Sequence, residues 1–330
     1  MTRLLVTDKA FADKGKLDNF TLDLAYGEDE NDFELVVPPD RVLETNTLAY
    51  VPETEWGGLI REESSTRDEG VSWRTYKGPT WHGLLDQRIL RPPSGQTHLA
   101  LAGDVHSIIA QVIAICGLGD IFAAPSEDYG VSLTYTFDRY CTAFEGLRKM
   151  LRGLGLRLSC RRGGTGKTMV SAVPGKVLID DNRGSKFGYK VSFLHPVNHY
   201  VCIGEGEMGD RVVVDLYADS EGNISGTQTI FGLDEIQYRY EYTSADVDRL
   251  IESGVESLAG KQIFTEADLT IPEGGDYMLD DIVGVADFKM GREFLATITK
   301  IIVKAQSKGK AKTSFEFSDV VSTRLEQETQ

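Results

Sequence analysis

The first hundred residues alternate with a period of two. Phe20, Leu22, Leu24 and Tyr26 are separated by Thr21, Asp23 and Ala25, and after the acidic run GEDEND the series Phe33, Leu35, Val37 takes up the same alternation. One apolar face per strand on either side of a polar turn predicts a hairpin with one buried face. TLAYV, GGLIREE and VSWRTYKG follow as further short strands, each bounded by Gly, Pro or polar residues. Several short strands at this spacing predict a barrel or sandwich.

The period then changes. Asp104 is placed to cap a helix whose apolar residues Val105, Ile108, Ile109, Val112, Ile113 and Cys116 share one face, and Gly117 suits its end. VSLTYTF reads as a strand, and Phe144, Leu147, Met150, Leu151 and Leu154 as a second helix. LRLSC and TMVSAV are strand-like and joined by a glycine-rich stretch. From Asn198 onward HYVCIG, RVVVDLY and EIQYRYEY alternate again. One strong helix over 243–261 follows, with Thr243 opening a capping box to Asp246 and Val247, Leu250, Ile251, Val255 and Leu258 on one face. DDIVGVAD, FLATITKIIVKA and TSFEFSD close the chain as strands, KGKAK at 308–312 reads as a solvated hairpin turn, and the tail RLEQETQ as frayed.

Charge sharpens this division. Residues 1–97 carry 11 Lys and Arg against 18 Asp and Glu, residues 98–197 carry 12 against 8, and residues 198–330 carry 12 against 25. A mildly basic, helix-containing segment therefore separates two acidic, strand-rich ones. The expected fold is mainly β with an α+β insertion: a first β-barrel domain over 1–97, an inserted α+β domain over 98–197, and a second β-barrel domain with one helix over 198–330. The overall charge of −16 opposes any broad affinity for nucleic acid. No apolar run reaches the roughly 18–20 residues of a membrane span, and the opening MTRLLVTDKAFADKG is no secretory signal.

Candidate chemistry is sparse. Cys116, Cys141, Cys160 and Cys202 include no CxxC pair, so neither a zinc site nor a disulfide framework is expected. His195 and His199 have a metal-like spacing, but Pro196 removes the helix that spacing needs. RRGGTGKTMV (161–170) resembles a phosphate-binding loop without satisfying it. The motif GxxxxGK[ST] demands a glycine where Arg161 stands, and TMVSAVP after Lys167 is too β-branched for the required helix. The stretch is expected to be an exposed hairpin loop that leaves Arg161, Arg162 and Lys167 free for a neighbouring acidic protein surface. Acidic pairs such as Asp180 with Asp181 and Asp280 with Asp281 sit at turns or strand starts, where adjacent side chains diverge. No catalytic, cofactor-binding or metal-ligating residue is assigned, and no cofactor is expected.

Three stretches ask for more than core packing: TEWGGLI with YKGPTWHGLLDQRILRPP, which hold Trp56 and Trp81; NHYVCIGEGEMGDRVVVDLYAD; and DYMLDDIVGVAD. With NDFEL, the ordered series E-W-G-G-L-I, K-G-P-T-W-H-G-L-L, R-I-L-R-P-P, G-E-G-E, R-V-V-V-D-L-Y and D-I-V resembles the tail-tip hub proteins of siphophages and prophages, relatives of the central baseplate hub of contractile tails. The resemblance spans nearly the whole chain. One departure is Asp280, where a glycine is expected before Asp281.

This resemblance implies a non-enzymatic virion protein of the tail tip, assembled in the bacterial host cytoplasm. It implies a homotrimer whose two barrels per subunit continue the sixfold tail tube, with the inserted domain off the ring. The implied partners are the distal tail protein, the tape-measure protein and other tail-tip or fibre proteins, with DNA passing through unbound. Related chains that continue into a peptidoglycan- or polysaccharide-cleaving region make a tail-associated hydrolase the alternative. A chain stopping at Gln330 is expected to leave that activity to other proteins.

Overall fold

The computed structural model describes residues 2–68, 70–163, 166–180, 187–262, 265–271, 275–318 and 320–325. They form two compact units, residues 1–188 with 269–330, and residues 189–268.

The spine of the larger unit is the strand Arg292–Gln306. Its β-branched, alternating sequence buries Ile301, Val303 and Ala305 on one face and turns Lys304 and Gln306 outward. It pairs antiparallel with Thr21–Gly27, setting Val303 opposite Leu24 and Lys304 opposite Asp23. The predicted hairpin Thr21–Gly27 with Asp32–Val37 lies next in the sheet, followed by Val71–Pro79 and Glu62–Asp68. On the far side come Ile282–Asp287 and Val177–Asp180, and Lys312–Phe317 and Val321–Arg324 also pair with the spine. The first and last stretches of the chain thus build one sheet. Every residue of Glu62–Asp68 is exposed, so that edge is polar on both faces. No closed barrel is traced among the described residues. The mainly β character with few helices holds.

A bulge at Ile298–Lys300 breaks the pairing of the spine. Gly27 faces it at φ +141°, and a Cβ there would stand 2.1 Å from the Thr299 carbonyl oxygen. Only glycine meets both demands.

The helix Val105–Ile115 forms as its spacing predicts, with Gly117 left-handed after its end (φ +65°). Asp104 accepts from His106 N at 2.9 Å and also from Tyr129, Gly130 and Val131 N at 2.9–3.1 Å. Burial pushes its carboxyl pKa up, and the four backbone donors outweigh that and hold it low. Asp104→Ala orphans all four, and we expect a loss of about 2–3 kcal/mol in urea unfolding. The helix Ala143–Arg152 begins with a capping box between Thr142 and Glu145 that hydrophobic spacing alone does not reveal. Between these helices and the hairpin Leu156–Arg161 with Thr168–Pro174, Phe122–Ala123 adds a short parallel strand.

In the smaller unit four strands, in the order Ile224–Ser225, Val213–Ala218, His199–Ile203 and Gln237–Glu241, carry the helix Val247–Ala259. Tyr200, Cys202, Leu216, Ala245, Leu250 and Leu258 are its core. The cap is Asp246, which accepts from Arg249 N at 3.0 Å, rather than Thr243. A turn in which Ala245 N donates to the Tyr242 carbonyl delays the helix start. The KGKAK turn joins the paired strands Arg292–Gln306 and Lys312–Phe317, whereas the end of the tail lies outside the described residues.

Candidate functional site

The outward face of the large sheet carries a cross-strand row of charge. Register aligns Lys304, Asp23, Glu34, Lys77 and Glu62 on five successive strands. Asp23 and Glu34 are like charges directly opposite each other, an arrangement that destabilises a sheet unless balanced. Here each has its own cation: Lys304 lies 3.0 Å from Asp23 and Lys77 lies 2.8 Å from Glu34. The pairing with Glu34 raises the Lys77 pKa.

Beside the row runs an open groove of about 900 Å³, to which Asp29, Glu30, Asp32 and Asp86 add carboxylates while Arg61 adds one more cation. Lys300 lies 2.8 Å from Glu30, one of these carboxylates, and 3.5 Å from Glu316. Burial, with Glu30 nearby, raises the pKa of Asp32. Carboxylates outnumber cations on this surface, so it repels phosphate. It holds no nucleophile with a partnering base.

Behind the face, two stretches of the motif series, E-W-G-G-L-I and K-G-P-T-W-H-G-L-L, meet in one junction. The strand end Gly78-Pro79 and the cap Thr80, whose hydroxyl accepts from Gly83 N at 3.2 Å, lead into the helix Trp81–Asp86. Trp81 and His82 are fully buried. Gly58 lies against Pro79 and Thr80, and Gly78 against Leu59: an added Cβ would come within 2.1 Å and 1.9 Å of carbonyl oxygens. E-W-G-G-L-I and K-G-P-T-W-H-G-L-L are thus the two sides of one backbone contact. The His82 ring stacks on Tyr26 at 4.4 Å and meets Phe144 edge-on at 5.5 Å. Burial, assisted by Arg148, pushes its pKa down to about 3, so the ring is neutral.

Ionic groups tie this junction together. Arg148 forks onto Asp280 with Nε–Oδ2 3.1 Å and Nη2–Oδ1 2.7 Å. Arg157 pairs with the fully buried Asp281, which also accepts from Met278 N at 2.8 Å and Lys176 N at 3.0 Å. Glu55 accepts from Cys160 N at 3.0 Å, while its other oxygen has no hydrogen-bond partner. Its pKa is raised to about 7, by burial first. The glycine expected before Asp281 is explained by backbone: Asp280 has φ +67°, the left-handed region that glycine enters freely and Asp tolerates.

The glycine-rich decamer spans a hairpin, as spacing predicts, although Gly164 and Thr165 lie outside the described residues. The expectation for its cations needs correction. Arg162 is only 2% exposed; it donates to the Phe11 carbonyl at 2.8 Å and lies 5.0 Å over the Tyr50 ring. Lys167 donates to the Gly119 carbonyl and Arg161 approaches the Met278 sulfur at 3.2 Å. Replacing Arg162 with serine is therefore expected to destabilise the fold, seen as a lower urea midpoint, whereas Arg161→Ser leaves it nearly unchanged.

In the smaller unit His199 sits in a strand. Its two nitrogens face Glu235 at 2.6 Å and Asp215 at 2.9 Å, and Tyr217 covers the ring. Carboxylates thus stand at both ring nitrogens. No group of three or more His, Cys, Asp or Glu among the described residues is arranged to hold a metal ion. All four cysteines are unpaired thiols, with Cys160 and Cys202 buried. No helix among the described residues is long and apolar enough to cross a membrane.

No protein-family model matches the chain, and no curated protein sequence does. Solved structures do. The chain is similar to a tail protein from Neisseria meningitidis (11% identity over 96% of this chain and 95% of that one, TM-score 0.46). It is also similar to the 43 kDa tail protein of prophage MuSo2 from Shewanella oneidensis (14%, 97% and 98%, TM-score 0.46). A third is a chain of the phage P2 baseplate (7%, 96% and 98%, TM-score 0.45). Identities and scores of this size leave the functional reading to the residues themselves.

Proposed function

We propose that this chain is a structural hub of a phage tail tip or tail-derived particle, and that the charged face of its large sheet is the wall past which DNA leaves. The supporting observation is the row Lys304, Asp23, Glu34, Lys77 and Glu62 with its acidic groove, on a sheet that joins the two ends of the chain. A wall for DNA must not bind it. Every lysine of the row lies beside a carboxylate of its own or a neighbouring strand, Arg61 donates to the Asn46 side chain, and the surplus charge of the groove is acidic, so a passing phosphate is repelled. The ordered motif resemblance supplies the context, a trimer that continues the tail tube with the segment 98–197 off the ring. Its partners are the distal tail protein, the tape-measure protein and fibre proteins.

Labelling the chain with a terminal tag and a gold-conjugated antibody tests its place: label is expected at the distal tail end, and label elsewhere or none would refute the hub reading. The wall reading has its own test. Glu62→Lys with Asp86→Lys places two unpaired cations in the groove while leaving every ion pair of the row intact. In a DNA-carrying phage we expect normal particle numbers with infectivity reduced about tenfold or more, since each new phosphate contact strengthens nonspecific binding. The hydrolase alternative predicts a lytic band from the purified chain on cell-wall zymograms, lost in Asp32→Asn; the hub reading predicts no band.

A further inference from the structure

We propose that a second groove, on the opposite character of surface, binds an acidic peptide segment with an apolar side chain, supplied by a partner protein. It is about 550 Å³ and lies between residues 89–96 and the turn at 138–141. Ile89, Pro92 and the Tyr140 ring form its apolar floor, and Arg91 and Arg139 its rim. Ile89 is 47% and Tyr140 55% exposed, so large apolar groups are left open to water.

The backbone around this groove is fixed. Ile89 bridges Thr142, Leu90 N donates to Cys141 O at 2.9 Å and Ala143 N to Arg88 O at 2.7 Å. Pro92 and Pro93 restrict the other wall. Tyr140 has φ +62°, a conformation costly for a bulky residue. Strain of this kind persists only where surrounding structure imposes it, and it gathers at ligand sites. Here it turns the ring outward, with the Arg139 guanidinium 5.0 Å from the ring centroid and Nη2 3.3 Å from the hydroxyl.

Charge selects the occupant. No carboxylate lines the groove, and Asp138, next to Arg139 in the chain, is taken by Lys149. The lining residues Arg91 and Arg139 form no ion pair among the described residues, on a chain of net charge −16. Guanidinium forks match carboxylates bidentately. Two aliphatic floor residues beside one ring suit an apolar side chain better than a sugar, so an acidic peptide fits where an acidic polysaccharide does not. The inference stands apart from the hub reading, since a chain placed elsewhere in a particle would keep this groove.

The test uses the full chain and a fluorescein-labelled synthetic nonapeptide with one Phe and one Leu among Asp and Glu, followed by anisotropy at low salt. Saturable binding is expected, weakened about tenfold or more by Arg91→Ala with Arg139→Ala and further by added salt. Both arginines are exposed, so an unchanged melting curve verifies the folded variant. A peptide with Lys for Asp and Glu, or with Ser for Phe and Leu, is expected to bind at least tenfold more weakly, by the same reasoning. The proposal is overturned by an absence of saturable binding, by an affinity indifferent to the paired substitution, or by alginate fragments displacing the peptide at lower concentration than unlabelled peptide does.

Discussion

Arg148→Ala is expected to cost about 3–5 kcal/mol of unfolding free energy, the usual penalty for stripping one partner from a buried ion pair. The Arg148 and Asp280 side chains are 8% and 2% exposed and joined by two hydrogen bonds. Once the guanidinium is gone, the cation left beside Asp280 among the described residues is Arg152 at 3.7 Å, and that side chain is half exposed. The left-handed backbone at Asp280 prevents easy repacking. Arg148 also lies 5.1 Å over the Phe144 ring of its own helix, a contact the substitution removes as well. Arg148→Met combined with Asp280→Asn removes both charges, keeps most of the volume and uses a residue that enters the left-handed region. The double variant is expected to be more stable than Arg148→Ala, because no unpaired charge remains. Urea unfolding of the three chains decides this, and a loss below about 1 kcal/mol in the single variant would place the pair in water rather than in the core.

The second large effect is on pH dependence. His82 is neutral in the folded chain, with its pKa near 3 against about 6.5 unfolded. Between those values the unfolded chain binds the extra proton, so the stability His82 permits is complete above pH 6.5 and is lost as pH falls. Glu55 acts in the opposite sense. Its folded pKa of about 7 lies above the unfolded 4.5, so the folded chain holds the proton, and its contribution, present below pH 4.5, is lost as pH rises to 7. Each slope is on the order of 1 kcal/mol per pH unit. From 4.5 to 6.5 they oppose each other, leaving His82 alone to act below that window. Differences from wild type isolate the two groups: His82→Phe, which preserves the stack on Tyr26, should flatten the acid limb, and Glu55→Gln should gain relative stability from pH 4.5 to 7. Parallel profiles for wild type and His82→Phe below pH 4.5 would contradict the assignment.

Much of this molecule is legible in its letters. Alternation at Phe20–Tyr26 and Phe33–Val37 marks a sheet with one wet face, and the spacing of Val105, Ile108, Ile109 and Val112 marks a helix, because both periods follow from backbone geometry. The absence of a phosphate loop follows from one missing glycine and a β-branched continuation. The charged row is not legible, because Lys304 and Asp23 meet only when the end of the chain pairs with its beginning. Nor is the fate of Arg162. A buried arginine and a solvated one are written alike, and only the carbonyl of Phe11 and the ring of Tyr50 tell them apart. Asp280 was readable as an anomaly, a residue standing where glycine is expected. Its partner 132 positions earlier was not.

A reconstruction of the assembled tail end at side-chain resolution decides whether the sheet face of Asp23, Glu34, Glu62, Lys77 and Lys304 is the wall of a channel. Three copies of this chain are expected in a ring, with that row and the carboxylates of its groove turned toward the lumen. A ring in which the row is covered by a neighbouring subunit or faces the outside, or a tail end without this chain, would contradict that reading.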